Sequence, residues 1–368
     1  MDLNEEVLHI LALQRVRNLG PIKAKRIIAH CGSARAVFEE KKQNLMKITG
    51  IGHLLVKELF DPQNFRNAEQ ELTYISKNDI SYSMYTEDHY PKLLKQCVDG
   101  PLILFQSGCI NFGEQPIISI VGSRKITQRG KHFCEQLIES LAFFDPIIVS
   151  GFAFGTDITA QKCAMDQGLQ TVGCLAHGLN QMYPKAHKRY VERIERHGGF
   201  VTDFWSSDPF QRINFVKRNR IIAGMSEATI VIESAEKGGS LITADLARSY
   251  DRDVFAVPGR VNDNQSMGCN NLIKQHKAYM LSHPMDVPYM LNWDLDKAQS
   301  QDQTRGPSIT LDPTEQRVYS FLKSNDKTEI DHIALQCNLP VSKIASILLA
   351  MELKGLIKSI PGKQFELI

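Results

Sequence analysis

A chain of 368 residues, 43% of them hydrophobic, can bury a large core and reads as a soluble globular protein of two or three domains. A formal charge of +2 excludes a uniformly basic surface, so any nucleic-acid footprint has to be a local patch. The start Met1-Asp2-Leu3-Asn4-Glu5-Glu6 is acidic where a signal peptide is basic, and no apolar run approaches the ~20 residues that span a bilayer, which predicts a cytoplasmic protein with no membrane contact.

The first seventy residues read as short helices, a domain over 1–70. Two glycine turns, Leu19-Gly20-Pro21-Ile22-Lys23 and Ile48-Thr49-Gly50-Ile51-Gly52, each join one apolar helix to the next. Such turns are similar to helix-hairpin-helix (SAM-like) units, whose helix-start amides can meet a phosphate. Tight turns in a plain helical bundle explain them equally well. The stretch from Tyr74 to Leu104 looks like a transition into the next domain.

From Ile117 short β-branched runs alternate with helix-length segments, the pattern of βα units in a parallel sheet. The expected strands are Ile117 to Val121, Ile147 to Ser150, Thr171 to Leu175, Phe200 to Thr202, Ala228 to Glu233 and Val254 to Val257. Most are apolar throughout, as strands covered on both faces must be. The prediction over 71–290 is an α/β, Rossmann-like, doubly wound and mostly parallel sheet, with its ligand crevice at the carboxyl edge. Residues 291–312 are polar and read as a linker. Over 313–368, helices at Thr314 to Leu322, Ile330 to Gln336 and Val341 to Lys354 precede a hairpin from Leu356 to Leu367 turned at Pro361-Gly362, the order of a winged helix. Eight cysteines without CxxC spacing predict buried free thiols and no structural zinc.

Gly122-Ser123-Arg124 follows the first long strand, and Thr127 to Gly130 opens the next helix, so loop and helix amides together predict an anion site with Arg124 as its clamp. The second loop, 150–157, repeats the device with Gly151 and Gly155. Gly239 and Ser240 open a third helix. A structural turn also wants glycine at each place. No acidic residue stands at the second strand's tip and GxGxxG is lacking, which argues against a dinucleotide. No cofactor is expected. Cations gather from Lys185 onward, and in Arg212-Ile213-Asn214-Phe215-Val216-Lys217-Arg218-Asn219-Arg220 they interleave with an aromatic and amides. That combination can hold a backbone and stack a base on Phe215, although Phe215 also fits a core position. No Ser-His-Asp set, HExxH or Walker loop is present, so no catalytic residue is assigned.

In this order, Gly122-Ser123-Arg124, Ser150-Gly151 with Gly155-Thr156-Asp157, Tyr183-Pro184, Phe215 with the run Arg218-Asn219-Arg220-Ile221-Ile222-Ala223-Gly224, Gly239-Ser240-Leu241 and Pro258-Gly259 resemble the DNA-processing protein A (DprA/Smf) family. Tyr90-Pro91 and Pro101-Leu102 extend the match upstream. The resemblance implies a dimeric cytoplasmic mediator that coats incoming single-stranded DNA in natural transformation and helps load the RecA recombinase. It implies phosphate contacts for Arg124, for the cations around 218–220 and for Arg212. Gln161 stands where the family commonly has His, and Lys277 where it commonly has Gly.

A rival reading is a nucleotide phosphoribohydrolase of the lysine-decarboxylase-like Rossmann group, whose loop runs Gly-Gly-x-Gly-Thr-x-x-Glu. Here Leu241 interrupts the glycine cradle and Asp245 replaces the longer Glu. A third reading makes the winged helix a sequence-specific duplex reader. Ser342, Lys343, Ser346 and Lys354 are thin for base readout.

Overall fold

The computed structural model describes residues 3–294, 312–323, 325, 327–353, 356–360, 362 and 364–367. The chain divides into two compact units, Met1–Asp294 and Leu295–Ile368. The expected linker falls largely on residues outside those described, as do Lys354 and Pro361.

The first unit opens with six helices between Leu3 and Lys77. Local chemistry sets their ends. Pro21 and Pro62 each occupy a first turn, where a missing N–H costs nothing, and the side chains of Ser33 and Asp61 cap the helices Ala34–Glu39 and Pro62–Lys77. The two glycine turns lie side by side, with Arg26 Nη1 donating to the Thr49 carbonyl at 2.8 Å. The core of this part, around Ile10, Leu11, Ile27, Val37 and Leu59, also takes in Met84, Ile103, Phe105 and Trp205 from the sheet edge. The front end therefore packs into the same unit as the sheet.

The sheet has nine strands, β1 Ser81–Met84, β2 Ile103–Gly108, β3 Ile117–Val121, β4 Ile147–Ser150, β5 Thr171–Cys174, β6 Gly198–Thr202, β7 Ala228–Val231, β8 Asp253–Ala256 and β9 Tyr279–Met280. Their order is β1-β2-β6-β5-β4-β3-β7-β8-β9. From β6 to β9 all pairs are parallel, while β1 and β2 add an antiparallel edge. All six expected strands are present within two residues of their expected ends. The stretch from Tyr74 to Leu104 is not merely a transition, since it holds the end of a helix, all of β1 and the start of β2. Ser81-Tyr82-Ser83-Met84 is half polar because it is an edge strand. Alternation along the central strands fills both faces, with Val121, Val149, Val172 and Val231 on one and Ile118, Ile120, Ile148 and Ile230 on the other.

Chain order runs from β3 outward through β4, β5 and β6, then returns to the far side of β3 as β7 and β8. The switch point lies at β3, and the loops after β3, β4 and β7 diverge around it. Open α/β sheets bind ligands at such a place.

In the second unit the helices Pro313–Lys323, Ile330–Cys337 and Val341–Leu353 enclose Val318, Ile333, Ile344, Leu348 and Met351. Strands β10 Thr328–Glu329, β11 Ile357–Ile360 and β12 Gln364–Leu367 form an antiparallel sheet in the order β10-β12-β11, completing a winged helix. Of the eight free cysteines five are buried, but Cys109 is exposed and Cys31 and Cys163 are half-buried. Among the described residues no single helix is long and apolar enough to cross a membrane.

Candidate nucleic-acid interface

A crevice of about 640 Å³ opens at the switch point, lined by Gly122, Ser123 and Arg124 after β3, by Ala153 and Asp157 after β4, and by Ser234, Ala235, Gly238, Gly239 and Ser240 after β7. Ser123 ties these loops together. Its N–H donates to the Glu233 carbonyl at 2.7 Å, its carbonyl accepts from Thr156 N–H at 3.1 Å, and its hydroxyl donates to Gln265 Oε1 at 2.7 Å. With that side chain occupied, Arg124 is the member of the motif that projects into solvent.

Gly155 has φ +76, and a Cβ there would stand 2.2 Å from the Ser123 carbonyl oxygen, so only glycine lets the two loops touch. A Cβ on Gly151 would likewise meet Arg218 Nη1 at 2.4 Å. These two glycines are needed for loop packing.

The expected anion sites at the first two helix starts are corrected by the geometry. At Thr127 the carboxylate of Glu233 already accepts from the backbone N–H at 2.8 Å and from the hydroxyl at 2.5 Å. After β4, Asp157 Oδ2 accepts from Gly151 N–H at 3.1 Å and Ala153 N–H at 3.2 Å. These three amides are satisfied by the protein's own carboxylates, which are what a helix start attracts, while Gly130 N–H donates to Thr127 Oγ1 and Thr156 N–H to the Ser123 carbonyl, each at 3.1 Å. Burial pushes the Asp157 carboxyl above the ordinary aspartate range, while the Arg218 guanidinium and the two amides pull it back. The third start is different. The helix Gly239–Ser249 has no side-chain cap, Gly239 is exposed beside open space, and Ser240 donates to Ser234 Oγ at 2.9 Å. Its amino end lines the crevice; Leu241 N–H donates to the Gly238 carbonyl at 3.1 Å, while the Gly239 and Ser240 amides have no protein acceptor among the described residues.

The run of cations from Arg212 to Arg220 is helical, within Arg212–Met225, so helix periodicity sorts it. Arg212, Phe215, Val216 and Asn219 share the crevice face at spacings of three and four, and Arg218 and Ile222 also line it. Lys217 is exposed but outside the crevice lining. Arg218 is buried, 4% exposed, and spends Nη1 on the carbonyls of Gly151 and Cys174 at 2.6 and 2.5 Å. Arg220 pairs with Asp203 and donates to the Asp99 carbonyl. Two of the expected phosphate-binding arginines thus have internal partners that bind elements of the fold together. Lys185 is exposed on the short 3-10 helix Lys185–Tyr190, also outside the lining.

Phe215 is half-buried on the crevice wall rather than in the core, and the Arg124 guanidinium lies over its ring at 5.6 Å. Two rings that sequence reasoning left without a role join it. Tyr183 and Phe210 are 39% and 45% exposed, and the three ring centroids lie 5.0 to 5.7 Å apart. The available signal was Phe210 standing two places before Arg212 at a helix start. Arg124 and Arg212 make no salt bridge among the described residues, and Asp157 is the one carboxylate in the lining. The mouth of the crevice is therefore electropositive and its wall aromatic.

Two family models match this chain, DNA recombination-mediator protein A over residues 81–292 and the DprA winged helix domain over 302–363. The DNA processing protein DprA of Streptococcus pneumoniae is 36% identical over 260 residues, 67% of this chain and 92% of that protein. Its X-ray structure superposes with a TM-score of 0.64 at 28% identity, covering 78% of this chain and 98% of the other. A structure of DNA processing protein A from Helicobacter pylori, described as giving insights into that protein's single-stranded DNA binding mode, matches with a TM-score of 0.50 at 25% identity over 57% of this chain and 95% of its own.

Proposed function

Because the chain belongs to the DNA recombination-mediator protein A (DprA/Smf) family, we propose that it binds and protects single-stranded DNA in the crevice at the switch point and helps load a RecA recombinase onto it during natural transformation. The observation that carries this reading is the meeting in one crevice of Arg124 and Arg212, neither in a salt bridge among the described residues, a helix start without a side-chain cap at Gly239 and Ser240, and the rings of Tyr183, Phe210 and Phe215.

The cations and amides hold phosphates, and the rings offer faces to unpaired bases. A base inside a duplex cannot reach rings set in a crevice wall, whereas an unstacked one can. The lining has few groups arranged to read base edges, so binding is expected to tolerate any sequence. The single-stranded DNA binding mode described for the Helicobacter pylori protein supports the same assignment.

The protein acts as a holder, not a catalyst, and needs no cofactor. Asp245, which stands where the hydrolase loop has its Glu, is outside the crevice lining and pairs with Lys277 at 3.8 Å, which favours this over the hydrolase reading. The parts at 1–70 and 71–290, a linker at 291–312 and the winged helix from 313 belong to this reading. Helix Val341–Leu353 exposes Leu349, which suits assembly better than duplex reading. A homodimer in the cytoplasm completes the proposal. Anisotropy titrations with one oligonucleotide, single-stranded and as its duplex, test it. Tighter binding of the single strand is expected, and preference for a defined duplex would overturn it.

A further inference from the structure

We infer that the helical front end is a positioning device for the crevice, acting through the loop 203–211, and the inference rests on the single-strand reading above. That loop connects β6 to the helix Arg212–Met225 and carries Phe210 at its end. It has no helix or strand of its own, so its order has to come from side chains.

Three side chains from two front-end helices supply it. Arg15 lies over the Trp205 ring at 3.6 Å, donates Nη1 to Asp208 Oδ1 at 2.7 Å and donates Nη2 to Ser207 Oγ at 3.2 Å. Gln14 Oε1 accepts from Trp205 Nε1 at 2.8 Å. Glu71, 5% exposed on the helix Pro62–Lys77, accepts from the Ser206 N–H at 2.8 Å and its hydroxyl at 2.6 Å. All four residues from Trp205 to Asp208 are held, and Asp208 Oδ2 closes the turn by accepting from Trp205 N–H at 2.8 Å. Phe210 follows two residues later.

The opposite side of the loop is pinned by the segment that bears Tyr183, where Asn180 Nδ2 donates to the Ser206 carbonyl at 2.8 Å and Gln181 Nε2 to the Asp208 carbonyl at 3.3 Å. The clamp therefore sets Phe210 relative to Tyr183, whose rings lie 5.0 Å apart. Neither Gln14, Arg15 nor Glu71 lines the crevice. They are positioning residues, and they give the front end a part in strand binding without touching the strand. Binding to a preformed platform avoids the ordering cost that a loose loop would add.

The test measures single-strand affinity and its salt slope for the full chain, as wild type, Arg15→Gln, Phe210→Ala and the double variant, with active protein determined by stoichiometric titration. Arg15→Gln is expected to weaken binding by about five- to tenfold with an unchanged salt slope, and the double variant to bind no more weakly than Phe210→Ala alone. In a Trp293→Phe background, leaving Trp205 as the chain's only tryptophan, its emission should shift on Arg15→Gln. If Arg15→Gln does not fold, Glu71→Gln addresses the clamp from the other helix, with the same expectation. Unchanged affinity, an additive double variant or a reduced salt slope would overturn the inference, the last by making Arg15 a phosphate ligand. A wild-type chain that fails to bind the strand overturns the functional reading and the inference with it.

Discussion

The guanidinium of Arg124, from the loop after β3, lies over the ring of Phe215, from the helix Arg212–Met225, 5.6 Å from its centroid. The proposed phosphate holder and the proposed base platform thus meet across the crevice, with the cation drawn to the ring face.

Phe215→Ala is expected to cost about 1–3 kcal/mol of single-strand binding, the worth of one base stacked on an aromatic ring. The salt slope should stay near the wild-type value because no phosphate contact is deleted. Phe215→Tyr should retain most of the affinity. Anisotropy titrations at several salt concentrations separate these outcomes.

Arg218→Met should act on folding. It leaves the Gly151 and Cys174 carbonyls without their donor and Asp157 without its nearest positive charge. Breaking a buried charge arrangement from one side costs about 3–5 kcal/mol. Urea unfolding should show the loss, and a fully stable variant with a lower salt slope would instead make Arg218 a strand ligand.

Gly155→Ala combines a φ of +76 with a Cβ placed 2.2 Å from the Ser123 carbonyl oxygen. Backbone strain of this kind costs about 1–3 kcal/mol, and relief requires moving the loop that carries Arg124. A lower thermal midpoint together with weaker strand binding is expected.

Glu227 gives a pH-dependent signature. Burial pushes its carboxyl up to about 7, against the hydrogen bond donated by Trp293 Nε1 at 3.1 Å. The folded state therefore holds this proton more tightly than the unfolded chain, whose glutamates titrate near ~4.3. Its contribution to stability is complete below that value and is lost as pH rises toward about 7. Glu227→Gln should remove the dependence and stabilise the chain at pH 8 by about 1–3 kcal/mol, discounted for partial exposure. Denaturation of both proteins from pH 4 to 8 measures the difference.

Much of the fold was legible because buried parallel strands are short apolar runs, and all six of these were readable from Ile117 onward. Edge strands carry a weaker pattern, which is why Ser81–Met84 escaped notice. At the crevice, Arg124, Arg212 and Phe215 were readable as types and positions. The partners of Arg218 and Arg220 were not, because the carbonyls of Gly151, Cys174 and Asp99 come close only through the tertiary fold. The same holds for Glu233, which reaches Thr127 from the other side of β3 and fills a helix start that looked open. Phe210 joins the crevice wall through two rings that the fold brings beside it.

The most direct test of the account is the salt dependence of single-strand binding by wild type, Arg124→Ala, Arg212→Ala and the double variant. Each single variant should bind more weakly and lower the slope of log K against log salt by about 0.7, and the double variant by about 1.4, with thermal midpoints unchanged. A folded double variant that keeps both the wild-type affinity and the wild-type slope would contradict a crevice that holds a DNA strand through Arg124 and Arg212.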